Sequence, residues 1–335
     1  KDAIEQCFIA LSPKRSAQWI LEADISGCFD NINHDWLIQN IPMNKKILSN
    51  WLKSGFIYNK KLFPTNSGTP QGGIISPILA NMTLDGLDNE IRKIFKKTTT
   101  KGREAKINYI RYADDFVITC VSKEMLENEI KPIVIKFLNE RGLTLSEEKT
   151  KITNINEGFD FLGVNLRKYD GKLLTKPSKN SIKDFLMKIR ETLKGNKFVT
   201  QEVMIKKLNP IISGWCQYHK SNVSTKAFSY VDNQIFKALW NWSKYRHHNK
   251  SRKWIKKKYF KTVGGNNWVF KDGKTFLLKA SAYRIVRHKK INNEANPYSK
   301  DWEIYFEKRL EKKMMNHVLI LNKLRIIWKS QKGIC

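Results

Sequence analysis

Acidic residues are scarce in the second half of this chain. The 335 residues carry 62 Lys and Arg against 31 Asp and Glu, a formal charge of +31. Residues 1–164 hold 22 basic and 20 acidic side chains, which leaves 40 and 11 for residues 165–335. The two stretches therefore carry +2 and +29. Solubilising charge is normally mixed in sign, so a polycation of this size points to nucleic acid, held through counterion release. Cysteine is also sparse. Cys7, Cys28, Cys120, Cys216 and Cys335 show no paired spacing, which argues against a disulfide scaffold and for a reducing compartment. No apolar run approaches the ~20 residues of a membrane span, and no signal-peptide pattern opens the chain.

What is present centres on Asn108 to Cys120. Asp114 and Asp115 interrupt two apolar runs, Ile107 to Tyr112 and Phe116 to Cys120, which read as the arms of a hairpin. Adjacent carboxylates at a bend repel each other and lose hydration if covered. A divalent cation removes that cost, and magnesium takes oxygen ligands of this kind together with substrate phosphates. A further carboxylate is available at Asp24, which ends the apolar run Trp19-Ile-Leu-Glu-Ala. Residues 16–24 read as a central strand.

Four stretches, in order, resemble the successive blocks of a reverse transcriptase. They are Asp24 with Phe29, Gly68-Thr-Pro-Gln-Gly-Gly73, Tyr112-Ala-Asp-Asp115, and Leu143-Thr-Leu-Ser-Glu-Glu-Lys149-Thr. The string from Gly68 to Asn81 is most similar to proteins encoded inside mobile group II introns. The resemblance implies Asp24, Asp114 and Asp115 as catalytic carboxylates holding two Mg2+ ions. It puts Phe29 under the sugar of the incoming nucleotide, where a rigid ring leaves no room for a 2′-hydroxyl; the alternative is a core phenylalanine. It assigns Gln71 a contact to the nucleotide and Lys149 a place near the triphosphate, against a plain surface lysine. Asp30 reads as a local hydrogen-bonding residue. Glycines of the loop from Ser67 to Gly73 allow close approach of backbone to a substrate.

Further readings follow in chain order. His34-Asp-Trp-Leu and Lys45–Leu52 suit short helices, and Ser76 with Pro77 suits an N-cap and first helical residue. Leu79, Met82, Leu87, Ile91 and Ile94 continue as core positions, and residues 97–106 read as a basic loop. Met125 to Asn139 reads as a helix ended by Gly142, with a kink or late start at Pro132. Phe159 to Gly163 resembles the small hairpin that presses on a primer end, and Asp170-Gly171 makes a second tight turn. From Pro177 onward the pattern becomes long helices with one apolar stripe and lysines elsewhere. Leu208 to Tyr218 and Leu239 to His248 resemble domain X, the thumb and maturase region of group II intron proteins. His247-His248 has no carboxylate or cysteine companions at ligand spacing, so RNA contact is expected there rather than metal. Tyr245, Arg246, Lys250, Arg252, Lys253 and Trp254 are the candidate RNA-binding residues.

The expected fold class is α+β. A right-hand polymerase palm with incomplete fingers occupies residues 1–164, and an α-helical thumb and maturase domain X occupies 165–250. A small basic DNA-binding region follows over 251–335. The fingers expected upstream are not matched and the chain opens at Lys1, so a fragment of something longer is expected. The closing Trp328 to Cys335 resembles the lead-in to an HNH endonuclease, with Cys335 as its first metal cysteine. The implied partners are group II intron RNA, target DNA and deoxynucleoside triphosphates, with no membrane; a homodimer is left open. The implied setting is a ribonucleoprotein in a bacterial cytoplasm or an organelle. Two alternatives stand beside this: an RNA-binding splicing cofactor with a vestigial polymerase site, and a retron- or CRISPR-associated reverse transcriptase.

Overall fold

The structure is a computed structural model that describes residues 1–70, 73–315, 326–327 and 330–331. Gln71 and Cys335 lie outside the described residues. The chain divides into two compact units, one of Ala3–Leu162 with Leu166–Leu174, the other of Lys1–Asp2, Gly163–Asn165 and the chain from Thr175 onward.

The first unit is built on an antiparallel four-stranded sheet in the order Asn108–Tyr112, Asp115–Cys120, Trp19–Ala23, Lys151–Asn154. Trp19–Ala23 is central, paired on both sides. Its alternation divides the sheet into two faces. Leu21 and Ala23 pair with Ile118 and Phe116, and all four are buried in one core with Ile130, Val134, Phe137 and Leu138 from the helix Lys131–Asn139 and the turn before it. Each such aliphatic side chain withdrawn from water contributes roughly 1.5–3 kcal/mol. Ile20, Glu22 and the residue after the strand, Asp24, therefore belong to the other face.

The local expectations meet several physical corrections. Ser76 is not the N-cap of its helix. The helix runs Ser76–Leu84 with Pro77 in its first turn, but the Ser76 hydroxyl donates to the Pro70 carbonyl at 2.9 Å. The apolar series after it is broken at Asp85-Gly86 (φ 99°), and a second helix covers Leu87–Ile94. Ile94 at its end is 53% exposed rather than core. The basic loop after Lys97 contains a helical turn, Thr100–Glu104, capped by the Thr99 hydroxyl on the Gly102 amide at 3.1 Å.

Pro132 has no amide to give the helical ladder. The helix widens into a π-turn over Leu126–Ile130, and Lys131–Asn139 restarts with the proline in its first turn. Gly142 then takes φ 75°, and the Leu143 amide returns to the Leu138 carbonyl at 2.9 Å, the bonding of a Schellman stop.

In the second unit, helices Lys179–Gly195, Gln201–His219 and Thr225–Arg246 bury apolar stripes in a common core. Helix Arg252–Tyr259 and a three-stranded sheet of Phe260–Val263, Asn266–Asp272 and Thr275–Phe276 share that core through Ile255, Tyr259, Phe260 and Phe270. Helix Glu303–Met315 follows. Among the described residues no helix is long and apolar enough to cross a membrane.

Candidate active site and nucleic-acid surface

The hairpin that carries the paired aspartates turns between Tyr112 and Asp115, which are register partners. Ala113 supplies the left-handed residue of this two-residue turn, at φ 54°. A non-glycine residue is tolerated there because the turn is bolted down from the core side. The Arg111 guanidinium donates to the Ala113 carbonyl at 3.1 Å, to Asn81 Oδ1 at 2.9 Å and to Asp85 Oδ1 at 2.5 Å. Residue parity then sorts the side chains. Arg111 pairs with Phe116 on the helix-packed face, so Asp115 belongs to the opposite face.

Asp24 arrives at the same place from the central strand. Ala23 pairs with Phe116, so the next positions outward, Asp24 and Asp115, stand across from each other at the sheet's edge. Asp24 is held there by the Ser146 amide donating to its carbonyl at 2.9 Å, beside the Ile25–Leu145 bridge. All three aspartates are half-buried. Burial raises the Asp115 pKa above the ordinary carboxylate range, and the Asp114 and Asp24 carboxylates push it further. The buried Cys28 thiol feels the same field. Burial first, then Asp114, pushes it up to about 12, with Asp24 and Asp30 adding to the shift.

The Lys149 ammonium answers part of this negative charge, donating to Asp24 Oδ2 at 3.0 Å. Among the described residues, no three acidic, histidine or cysteine side chains close on one point as a ready chelate. The donor set nonetheless fits magnesium, which needs one or two carboxylates and completes its shell with water and phosphate oxygens. Asp24 already accepts a cation from Lys149, and burial beside two other carboxylates disfavours the charged form of Asp115.

Phe29 lies on the short helix Cys28–Asn31, partly buried against the core below the site. The loop after Ser67 is tied to this helix. The Thr69 amide donates to the Phe29 carbonyl at 2.6 Å, and the Gly68 amide to Ile32 at 2.8 Å. The expected role of Gly68 is corrected here. A Cβ on it would stand 2.3 Å from the Phe29 carbonyl oxygen, so the glycine admits this chain's own backbone, not a substrate's. Asp30 is exposed, and its carbonyl accepts from Ser67 Oγ at 3.0 Å.

The six candidate RNA contacts divide by environment. Tyr245 is 57% exposed, with the Lys197 ammonium 5.0 Å over its ring. Trp254 is 36% exposed and carries Lys258 and Lys250 near its face, at 5.0 and 5.8 Å. Lys250, Arg252 and Lys253 are exposed. Arg246 is committed internally. Its guanidinium donates to the Lys197 carbonyl at 3.0 Å and to that of Val199, and lies 4.6 Å from the Trp242 ring. His247 is bonded to the Tyr259 hydroxyl at 2.8 Å rather than to any metal-ligand companion.

Two side chains that sequence reading passes over hold this arrangement: Arg111 behind the turn that carries Asp114, and Glu22, which accepts from Thr153 Oγ1 at 2.7 Å. Burial raises the Glu22 pKa, the Thr153 hydrogen bond opposing it. Strand parity was a signal for Glu22, two residues before Asp24. Nothing local marked Arg111.

Residues 3–166 match the family described as reverse transcriptase (RNA-dependent DNA polymerase), and residues 182–260 match the group II intron maturase-specific domain. The group II intron-encoded protein LtrA of Lactococcus lactis subsp. cremoris is 32% identical over 45% of this chain and 35% of its own length. Maturase-like protein 1 of Euglena gracilis is 25% identical over 67% of this chain and 46% of its own. The retron Ec83 reverse transcriptase of Escherichia coli is 23% identical over 53% of this chain and 57% of its own. The chain thus covers only part of each relative, about a third of the first. With a polymerase match followed by a maturase match, the chain belongs to the group II intron-encoded reverse transcriptase and maturase family.

Proposed function

We propose that this chain is the palm and maturase portion of an RNA-directed DNA polymerase. Such a protein binds its group II intron RNA to assist splicing, then copies it into DNA by target-primed reverse transcription during retrohoming. The observation that carries this reading is the grouping of Asp24, Asp114 and Asp115 at one end of the sheet, with Asp24 and Asp115 on the face opposite the helix-packed core and Asp114 in the turn beside them. A vestigial site would have no reason to keep three mutually repelling carboxylates there, since such a cluster costs stability unless a cation is bound. The maturase-specific match supports an intron-encoded lineage over a retron.

Reverse transcriptases as a family use divalent metal ions; here Asp24, Asp114 and Asp115 would hold two magnesium ions. When bound, these would supply Lewis acidity to the primer 3′-hydroxyl and charge neutralisation to the triphosphate. The chain's own part is position and charge. The Lys149 ammonium, 3.0 Å from Asp24, would place its positive charge near the triphosphate. The Phe29 ring would lie under the deoxyribose, and the Gln71 amide would contact the nucleotide. The unmatched excess of basic side chains over residues 165–335 would hold intron RNA and target DNA, in a bacterial or organellar ribonucleoprotein.

The test is primer extension on an RNA template by the full-length protein that contains this chain. Asp115→Asn keeps the shape of the side chain and removes its charge. Extension should fall by about 100-fold or more, the scale of losing one preorganised electrostatic group, while intron RNA affinity stays within about twofold. Near wild-type extension by this variant would remove Asp115 from the catalytic set.

A further inference from the structure

Within the helical unit, a cleft of about 320 Å³ opens between helices Lys179–Gly195 and Thr225–Arg246. Arg190, Leu193, Lys194 and Lys197 line one wall. Ala238, Asn241, Trp242 and Tyr245 line the other. Arg190, Leu193 and Lys194 share one helix face at i, i+3, i+4, with Lys197 in the loop just past the C-cap Asn196. Ala238, Asn241, Trp242 and Tyr245 follow i, i+3, i+4, i+7 on the other helix, so two walls confront each other. Ala238 makes the hollow: the core positions around it on the same helix, Ile235, Leu239 and Trp242, are large and buried.

The two walls differ in chemistry. One offers three cations and the other an exposed aromatic ring and a side-chain amide; among the described residues no acid lines the cleft. The commonplace reading is that lysines here complement helix C-termini. Each helix end carries only about half a negative charge, and the Arg246 guanidinium already serves the Lys197 and Val199 carbonyls. Three further cations exceed what two helix ends call for. Tyr245, 57% exposed, has an ammonium over its ring and room beside it instead of packed side chains. The volume lies at the small end of ligand pockets, which run from about 300 Å³ upward. This suits one planar base better than a longer ligand.

We propose that this cleft receives a single unpaired nucleotide of a bound nucleic acid. The base lies against Tyr245 with its edge toward the Asn241 amide, and the flanking phosphates meet Arg190, Lys194 and Lys197. Stacking on aromatics and hydrogen bonding to splayed-out bases is how single-stranded elements of a folded RNA are distinguished. The proposal rests on the reading of this chain as a nucleic-acid-binding maturase.

Fluorescence anisotropy on the full chain tests it with three RNA hairpins. One is fully paired, one carries a one-nucleotide bulge, and one carries the same bulge with an abasic residue. The bulged base should bind roughly tenfold tighter than the abasic bulge, the scale of one base stacked on an aromatic side chain. Tyr245→Ala, at an exposed position, should bring that ratio to about one; Tyr245→Phe should keep it. Ala238→Leu should also abolish it by filling the hollow, its fold checked by thermal melting. The same hairpins in DNA distinguish the source: a preference confined to RNA assigns the cleft to RNA, and an equal preference assigns it to unpaired nucleotides of either kind. Equal affinity of the wild type for base and abasic bulges, with the hairpins still bound, would overturn the cleft and leave the maturase reading standing. Failure to bind any hairpin would bring down both.

Discussion

Asp24 and Asp115 meet at the end of the sheet because the central strand stops at Ala23, one residue before Asp24, while its neighbour begins at Asp115, and Ala23 pairs with Phe116. Phe29 is placed differently, by a four-residue helix whose carbonyls are bonded by the Gly68–Thr69 backbone. Phe29 is partly buried and packs against the core, and the proposed sugar contact would use what remains accessible. Phe29→Ala should therefore do two things. It should let ribonucleotides compete with deoxynucleotides in single-nucleotide incorporation, and it should destabilise the palm by less than the about 3–5 kcal/mol of a fully buried Phe→Ala change. Unchanged sugar discrimination in a folded variant would return Phe29 to the core entirely. Arg246 shows the opposite outcome for a candidate contact. Charge and position pointed outward to RNA, but carbonyls at Lys197 and Val199 use its guanidinium from within.

Between elements, the helical unit is clamped by a polar network buried in its apolar core. Trp215 Nε1 donates to Ser181 Oγ at 3.1 Å, and that oxygen is bonded to His219 Nε2 at 3.0 Å, joining helices Lys179–Gly195 and Gln201–His219. Asn222 Nδ2 faces the other ring nitrogen at 3.4 Å, and the His219 carbonyl accepts from Ser224 Oγ at 2.7 Å. A protonated imidazole would place two donors against this set. Burial, with a smaller contribution from Lys1, lowers the His219 pKa to about 4. The unfolded histidine titrates near 6.5, so between these values the unfolded chain binds a proton that the folded one does not. Stability should thus fall as pH drops from about 6.5 to about 4, by roughly 3 kcal/mol from this residue. Denaturant melts of the wild type and His219→Gln at pH 7 and pH 5 measure it. The variant should lose less on acidification; equal losses would show that His219 is not the group responsible.

At the scale of the molecule, the charge asymmetry of +2 against +29 predicts strong salt dependence of nucleic-acid affinity. Each phosphate neutralised contributes about 0.7 to 0.9 to the log–log slope. Lys250, Arg252 and Lys253 are exposed, so neutralising all three should flatten the slope by about 2 on cognate and scrambled RNA alike. Arg246 does not belong in that set, since removing it strips hydrogen bonds from the loop carbonyls of Lys197 and Val199. Filter binding across a salt series reads this directly. An unchanged slope in the triple variant would move the phosphate contacts elsewhere on the 40 cations of residues 165–335.

The sequence by itself determined the carboxylates, the strand–turn–strand that presents them, the long helices and the charge division. These rest on local rules: alternation of two, helical spacing, turn chemistry and composition. Asp170-Gly171 turned where its residue types demanded, at φ 48° and 77°. Only the tertiary structure decided what each polar side chain spends its hydrogen bonds on. Arg111 bolts the Ala113–Asp114 turn across 30 residues to Asn81, Gly68 admits the backbone of Phe29–Asp30, and Ser76 serves Pro70 instead of its own helix. Those partners are set by which backbone groups burial leaves unpaired, and that depends on elements far apart in the chain. The Tyr245 cleft has the same origin, because a hollow needs two helix faces and each stripe alone reads as an ordinary solvated or core-facing turn.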